Sequence, residues 1–218
     1  MYIRNMEGST NIFEELLKDK SFITKEFFIE PEPAEEKSED FNYVLEKDRA
    51  KKVQVNEPVR GLVEALPSIE NTVVGLFFSA GWCAPCQEFV PLLKDLYEEL
   101  QMKRCPFQIV FISFDKTEEK MQEYFMDHHG EWLAVPFNDK ALREALRAKF
   151  DVNSLPKLII VNDTGEIITN TGRKEVQDRG FIGYRNWRQA ANLKDKGKLH
   201  SSSISKSEQT SEPKDSDA

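Results

Sequence analysis

Residues 73–86 read VVGLFFSAGWCAPC. The first part, Val73 to Phe78, is apolar at consecutive positions, the pattern of a strand covered on both faces. Downstream, Phe89, Leu92, Leu93, Leu96 and Leu100 recur at helical spacing, which predicts an amphipathic helix to about Lys103. Cys83 and Cys86 therefore fall at a strand-to-helix turn, at the N-terminus of the helix. Two intervening residues put both sulfurs in the first turn, close enough to join as a disulfide with little backbone movement. Pro85 suits that turn, because its missing amide has no intrahelical partner to lose. Pro91, one and a half turns on, is expected to kink the helix.

This setting fits thiol exchange. A thiolate is the attacking species, and one at a helix N-terminus is stabilised by unpaired amides and the positive end of the helix dipole. Cys83, nearer the terminus, is the expected nucleophile and Cys86 the resolving thiol, with Ala84 and Pro85 completing the motif. Trp82 is expected to flank the reactive sulfur and contact substrate; the competing reading makes it a core aromatic. Zinc is the main alternative for the cysteine pair, but a structural zinc site wants four ligands at defined spacing. The only other cysteine is Cys105, and His128 and His129 are adjacent. The second alternative is an inert structural disulfide, which three cysteines in 218 residues do not favour. The reading calls for no cofactor and no metal.

Composition sets the limits. A chain of 218 residues with 39% hydrophobic and 31% charged residues suits one domain with extensions. A net charge of −8 disfavours a nucleic-acid surface. Met1 to Leu17 lacks the apolar centre of a secretion signal, and no stretch has membrane-spanning length. The expected location is a reducing compartment, the cytoplasm with the nucleus as a further site, and no membrane partner is expected.

The expected organisation has three parts. Residues 1–50 form an extension, with a short helix over Asn11–Lys20, an apolar group (Phe22, Ile23, Phe27, Phe28, Ile29) and an acidic, proline-bearing linker, Glu30–Glu36. Composition favours a largely disordered arm; the sharper alternative docks its apolar patch on the domain or a partner. Residues 51–195 form the globular domain. Its expected elements are an edge strand over Lys52–Val55, a helix over Pro58–Leu66, the strand Val73–Phe78 and the helix after Cys83. There follow the strand Phe107–Phe114, a helix Glu118–Asp127, a connector Glu131–Phe137 and a helix Lys140–Lys149. The strand Lys157–Val161 turns through Asn162-Asp163-Thr164-Gly165 into Glu166–Asn170, an antiparallel hairpin, and a last helix covers Tyr184–Lys194. The β-α-β order makes the strands at 73 and 107 parallel. Residues 196–218 read as a disordered, Ser-rich tail. The fold class is α/β, a central mixed sheet flanked by helices. Pro156 starts a strand, where it cannot donate to the ladder; a cis Leu155–Pro156 bond in a turn facing the cysteines would explain it, the alternative being a trans proline at a strand start.

Together, Phe77–Cys86, Val110–Asp115, Trp132–Phe137 and Leu155–Val161 resemble the thioredoxin fold, and more narrowly its tryparedoxin and nucleoredoxin branch. The stretch Gly165–Trp187 (GEIITNTGRKEVQDRGFIGYRNW) is especially close to the nucleoredoxin-like members. The resemblance covers about residues 50–195. It implies a thiol–disulfide oxidoreductase in which Cys83 attacks, Cys86 resolves, Pro156 is the cis-proline and the Leu155 backbone binds an extended substrate chain. It also implies protein disulfide substrates, an upstream thiol reductant, and a role in maintaining photoreceptors or other sensory neurons. One departure from ordinary thioredoxin stands out: the buried aspartate six positions before the nucleophile is Phe77 here, as tryparedoxin-like proteins also lack it. The proton acceptor for Cys86 is thereby unassigned. The functional alternative is a redox-dependent binding or trophic protein with little turnover.

Overall fold

The computed structural model describes residues 11–29 and 61–193. Its elements in chain order are α1 (Ile12–Leu17), β1 (Ser21–Ile23), a 3-10 turn (Lys25–Phe28), β2 (Leu62–Glu64), α2 (Ala65–Ile69) and β3 (Val73–Ser79). After these come α3 (Ala84–Met102), β4 (Phe107–Ser113), α4 (Glu118–His128), β5 (Leu133–Ala134), α5 (Lys140–Lys149), β6 (Lys157–Val161), β7 (Ile167–Thr169), α6 (Gly172–Arg179) and α7 (Phe181–Ala190).

Period-two alternation along the central strands divides the core in two. Val73 and Phe77 of β3, Ile109 and Phe111 of β4, and Leu158 and Ile160 of β6 face one layer, packed on α3, α4 and α7 through Phe89, Leu93, Phe125 and Trp187. Val74, Leu76 and Phe78, with Val110, Ile112, Ile159 and Val161, face the other, packed on α1, α2 and α5 through Phe13, Leu17, Ile69, Leu142 and Leu146. Every residue of β3 is buried, as its unbroken apolar run requires. The sheet has the order β2-β1-β5-β4-β3-β6-β7. β3 and β4 pair in parallel, from Val73 opposite Phe107 to Ser79 opposite Ser113, and β6 pairs antiparallel to β3. This is the mixed α/β sheet that the sequence predicts. The Leu155–Pro156 peptide is cis.

Four expectations are corrected. First, residues 11–29 are not a disordered arm. Phe13, Leu17, Phe22 and Ile23 are buried, and β1 pairs with both β2 and β5. Lys20 bridges to Asp139 at 2.8 Å, and Lys25 Nζ donates to the carbonyls of Met126 and His129 at the end of α4. A cation there is favoured by the helix dipole. The partners lie some forty to over a hundred positions away, so local composition cannot show them.

Second, residues 62–64 are strand rather than helix, because β1 supplies them with an antiparallel partner; the helix starts only at Ala65. Third, the connector at 131–137 contains β5, parallel to β4. Fourth, α6 precedes the last helix. Gly172 looks like a helix breaker, but a Cβ there would lie 2.8 Å from the Leu158 carbonyl, so the glycine lets α6 start against β6. Within α3, Leu92 is 45% exposed; Phe89, Leu93, Leu96 and Leu100 are buried with Val90 and Tyr97. The expected strand at 52–55, the linker at 30–36, the start of the helix at Pro58 and the tail at 196–218 lie outside the described residues.

Candidate active site

β3 ends at Ser79, and three residues of loop bring the chain to Cys83, which takes the cap position of α3. Cys83 and Cys86 are joined as a disulfide with their Cα atoms 5.2 Å apart. Cys83 is 7% exposed and Cys86 fully buried, the order expected for an outer and an inner sulfur. Within the first turn the amides of Cys86 and Gln87 both donate to the Cys83 carbonyl, at 2.9 and 3.1 Å. Pro85 has no amide. Stabilisation of a Cys83 thiolate thus rests on the helix dipole more than on a ring of free amides.

Cys83 and Cys86 cluster with Ala80, and Phe114 and Leu155 pack against that cluster. Phe114 comes from the residue after β4 and Leu155 from the cis-proline turn before β6, so the sheet brings three separate segments to the disulfide. The expected residues therefore meet: Trp82, Cys83, Ala84, Pro85 and Leu155 line one cleft of about 480 Å³. Pro156, next to Leu155 in the chain, is buried and is not among the lining residues. Trp82 is 62% exposed, which overturns its reading as a core aromatic. Its ring Nε1–H donates to the Phe114 carbonyl at 3.1 Å, fixing the indole across the mouth of the site.

The loop is braced by a residue that sequence reasoning placed at the strand end and helix cap, not in the site. Asp115 accepts the Gly81 amide on Oδ1 and the Ser113 hydroxyl on Oδ2, both at 2.9 Å. Burial pushes its carboxyl above the usual 3.8, against the lowering effect of those two hydrogen bonds. A Cβ at Gly81 would sit 3.1 Å from Tyr124 Cβ, so a larger residue there would require Tyr124 to shift by a few tenths of an ångström. Gln87 Nε2 donates to the Gly81 carbonyl and closes the loop from the α3 side. A larger depression of about 700 Å³ lies on this side of Trp82, lined by Asp115, Lys116, Lys120, Glu123 and Tyr124. It does not include the sulfurs, so the smaller cleft is the one that carries the chemistry.

Phe77 is buried where an acid was noted as missing, and it packs on Phe89, Phe111 and His129 with ring centroids 5.9, 6.2 and 5.7 Å away. His129 is itself buried, its Nδ1 accepting from Trp132 Nε1 at 3.2 Å. Burial, with Lys25 and His128 nearby, holds its pKa well below the usual 6.5. Sequence reasoning missed Phe114, Asp115 and Arg147 as site residues. One signal was available: the C-terminal ends of parallel strands are where α/β sheets hold ligands, and Phe114-Asp115 ends the strand beside the one that delivers Cys83.

Comparison with known proteins agrees with this geometry. Residues 71–167 match the thioredoxin-like family model. Human nucleoredoxin-like protein 1 is 36% identical over 133 residues, covering 59% of this chain and 62% of that protein. Mouse nucleoredoxin is 38% identical over 109 residues, covering half of this chain and 25% of its own length. The chain therefore spans less than two thirds of either relative. Among solved structures, tryparedoxin II in complex with glutathionylspermidine is 37% identical, with a TM-score of 0.50 over 54% of this chain and 81% of that one. No helix among the described residues is long and apolar enough to cross a membrane. On these matches, and with a disulfide at the start of α3 beside a cis Leu155–Pro156 peptide, the chain belongs to the thioredoxin-like family, in its nucleoredoxin and tryparedoxin branch.

Proposed function

We propose that this chain reduces protein disulfides through the Cys83/Cys86 dithiol. The observation that carries the reading is the joined Cys83–Cys86 pair at the start of α3, with its outer sulfur at the floor of an open cleft. In the reduced protein the Cys83 thiolate attacks a substrate disulfide, forms a mixed disulfide and releases one substrate thiolate. Cys86 then attacks Cys83 Sγ, the second substrate sulfur leaves as a thiolate that takes up a proton, and the Cys83–Cys86 disulfide forms. Two electrons pass to the substrate, and an upstream dithiol reductant restores the pair. Trp82 and the Leu155 backbone flank the substrate chain, next to the cis Pro156.

The reading needs no cofactor, metal, nucleic acid or membrane. A cytoplasmic or nuclear location rests on the low cysteine count and the reactive C-x-x-C, and a part in maintaining photoreceptors or sensory neurons rests on the branch resemblance alone. The test is turnover: the pre-reduced protein, supplied with a dithiol donor, should reduce an insulin disulfide repeatedly. Cys83→Ser should abolish that turnover. Equal rates for wild type and Cys83→Ser would contradict the proposal.

A further inference from the structure

The cleft over Cys83 has one charged side chain among its lining residues, Arg147, from the last turn of α5. Its guanidinium sits 5.3 Å above the Phe114 ring, and its Nε donates to the Val152 carbonyl at 3.4 Å. Phe114 is the residue that packs on the disulfide and holds Trp82. The cation is therefore tied to the floor of the site, although its side chain is 46% exposed. Its nearest acid is Glu144, 4.0 Å away with a side chain 72% exposed, a distance and exposure at which an ion pair contributes little. A guanidinium carries five N–H donors in a planar fork, so most of its capacity is open to a ligand.

The surroundings lean the same way. Lys116, Lys140 and Arg143 line the depression on the far side of Phe114, with Asp115 and Glu144 as its acids. The Asp115 carboxylate is already engaged by Gly81 and Ser113. Glu144 and Asp151 line a shallower neighbour of Arg147, so the field is not uniformly basic. Even so, in a chain of net charge −8 the edge of the cleft presents a cation to whatever lies over Cys83.

We propose that Arg147 determines specificity in the reaction proposed above: it selects disulfides that carry Asp or Glu beside the cysteine under attack. A carboxylate is the group that a guanidinium fork pairs with at two points, and an approaching acidic segment is also steered by its field. The inference rests on disulfide exchange at Cys83. A nearby cation also favours the Cys83 thiolate, so the test must separate substrate selection from thiol acidity.

Pre-reduced Cys86→Ser/Cys105→Ser protein, in which Cys83 is the one thiol left, isolates one chemical step. It is given two peptides of identical sequence except for Glu or Lys on both sides of a single cysteine, each peptide activated as a mixed disulfide with thionitrobenzoate. The Cys83 thiolate attacks the peptide sulfur, the peptide–thionitrobenzoate bond breaks, and thionitrobenzoate leaves with the electron pair as a coloured thiolate. The ratio of the two rates on one protein cancels any change in the acidity of Cys83. With Arg147 present the Glu peptide should react about two- to fivefold faster at low salt, with the preference shrinking as salt screens the pair. Arg147→Glu should invert the ratio and Arg147→Lys should keep its sign. An unchanged ratio in Arg147→Glu overturns the inference while leaving disulfide exchange intact. Failure of every version to react with either peptide overturns disulfide exchange itself, and the inference with it.

Discussion

The carboxylate of Asp115 accepts the backbone N–H of Gly81 at 2.9 Å, a bond that runs from the end of β4 to the loop that delivers Cys83. The neighbouring Phe114 carbonyl takes the Trp82 indole, so two consecutive residues hold two consecutive residues of the loop. Asp115→Ala leaves the Gly81 amide without this acceptor. The expected cost is about 1–3 kcal/mol in urea unfolding, with a slower reaction of Cys83 because its loop is less well held. A variant as stable and as reactive as wild type would show that the brace is dispensable.

The same carboxylate should leave a signature in pH. Burial raises its pKa in the folded state, so the folded protein keeps this proton to higher pH than the unfolded chain. The stability it contributes is full below the usual value of 3.8 and is lost as pH rises through the raised value. The stability of wild type minus that of Asp115→Asn, followed from pH 3 to 7, should therefore fall with rising pH. A flat or rising difference would contradict the assignment.

His129 should act with the opposite sign. Held neutral by burial among Phe77, Phe111, Tyr124 and Trp132, with Lys25 and His128 as its charged or titratable neighbours, it resists protonation in the folded state. The unfolded chain takes up that proton first as pH falls below the usual 6.5, so stability should drop there. The slope approaches about 1.4 kcal/mol per pH unit. Urea unfolding between pH 7 and 5 measures it. His129→Gln, which keeps an acceptor for Trp132, should remove this component.

Phe13 tests whether the N-terminal elements belong to the domain. It is fully buried, and its amide donates to the Thr164 carbonyl at 3.2 Å. Phe13→Ala should cost about 3–5 kcal/mol, the usual range for truncating a buried phenylalanine. A loss below about 0.5 kcal/mol, typical of surface sites, would return residues 11–29 to the status of an appended arm.

Cys105 should be silent. It precedes β4, whereas Cys83 lies at the opposite end of the sheet, and the seven residues of β4 span roughly 20 Å. Cys105→Ser should leave insulin reduction within experimental error of wild type. A large drop would mean that a disulfide reaches Cys105 by rearrangement of the chain.

Residues 73–170 disclosed most of the fold because their signals are local. The unbroken apolar run of β3, the helical spacing of α3 and α5, and the Asn162–Gly165 turn each lie within a dozen positions. The cis Leu155–Pro156 peptide was legible because proline is awkward at the start of an interior strand. What stayed hidden is non-local: β1 finds its partners at Leu62–Glu64 and Ala134, and Phe13 finds its layer only once α2 and α5 are in place. Within the site, Cys83, Cys86 and Trp82 are marked by their own spacing. Asp115 and Arg147 become site residues only through the register of β4 beside β3 and the docking of α5 on Phe114.

The central claim is that Cys83 attacks and Cys86 resolves. Trapping tests it most directly: the pre-reduced Cys86→Ser and Cys83→Ser proteins are each mixed with an oxidised protein disulfide and resolved by non-reducing electrophoresis. Cys86→Ser should accumulate a covalent adduct that a reductant releases, because no second thiol is left beside Cys83 to free it. Cys83→Ser should form almost none, because Cys86 is fully buried and Cys105, the other free thiol, lies at the opposite end of the sheet. Adducts on Cys83→Ser and none on Cys86→Ser would contradict the account and reverse the two roles.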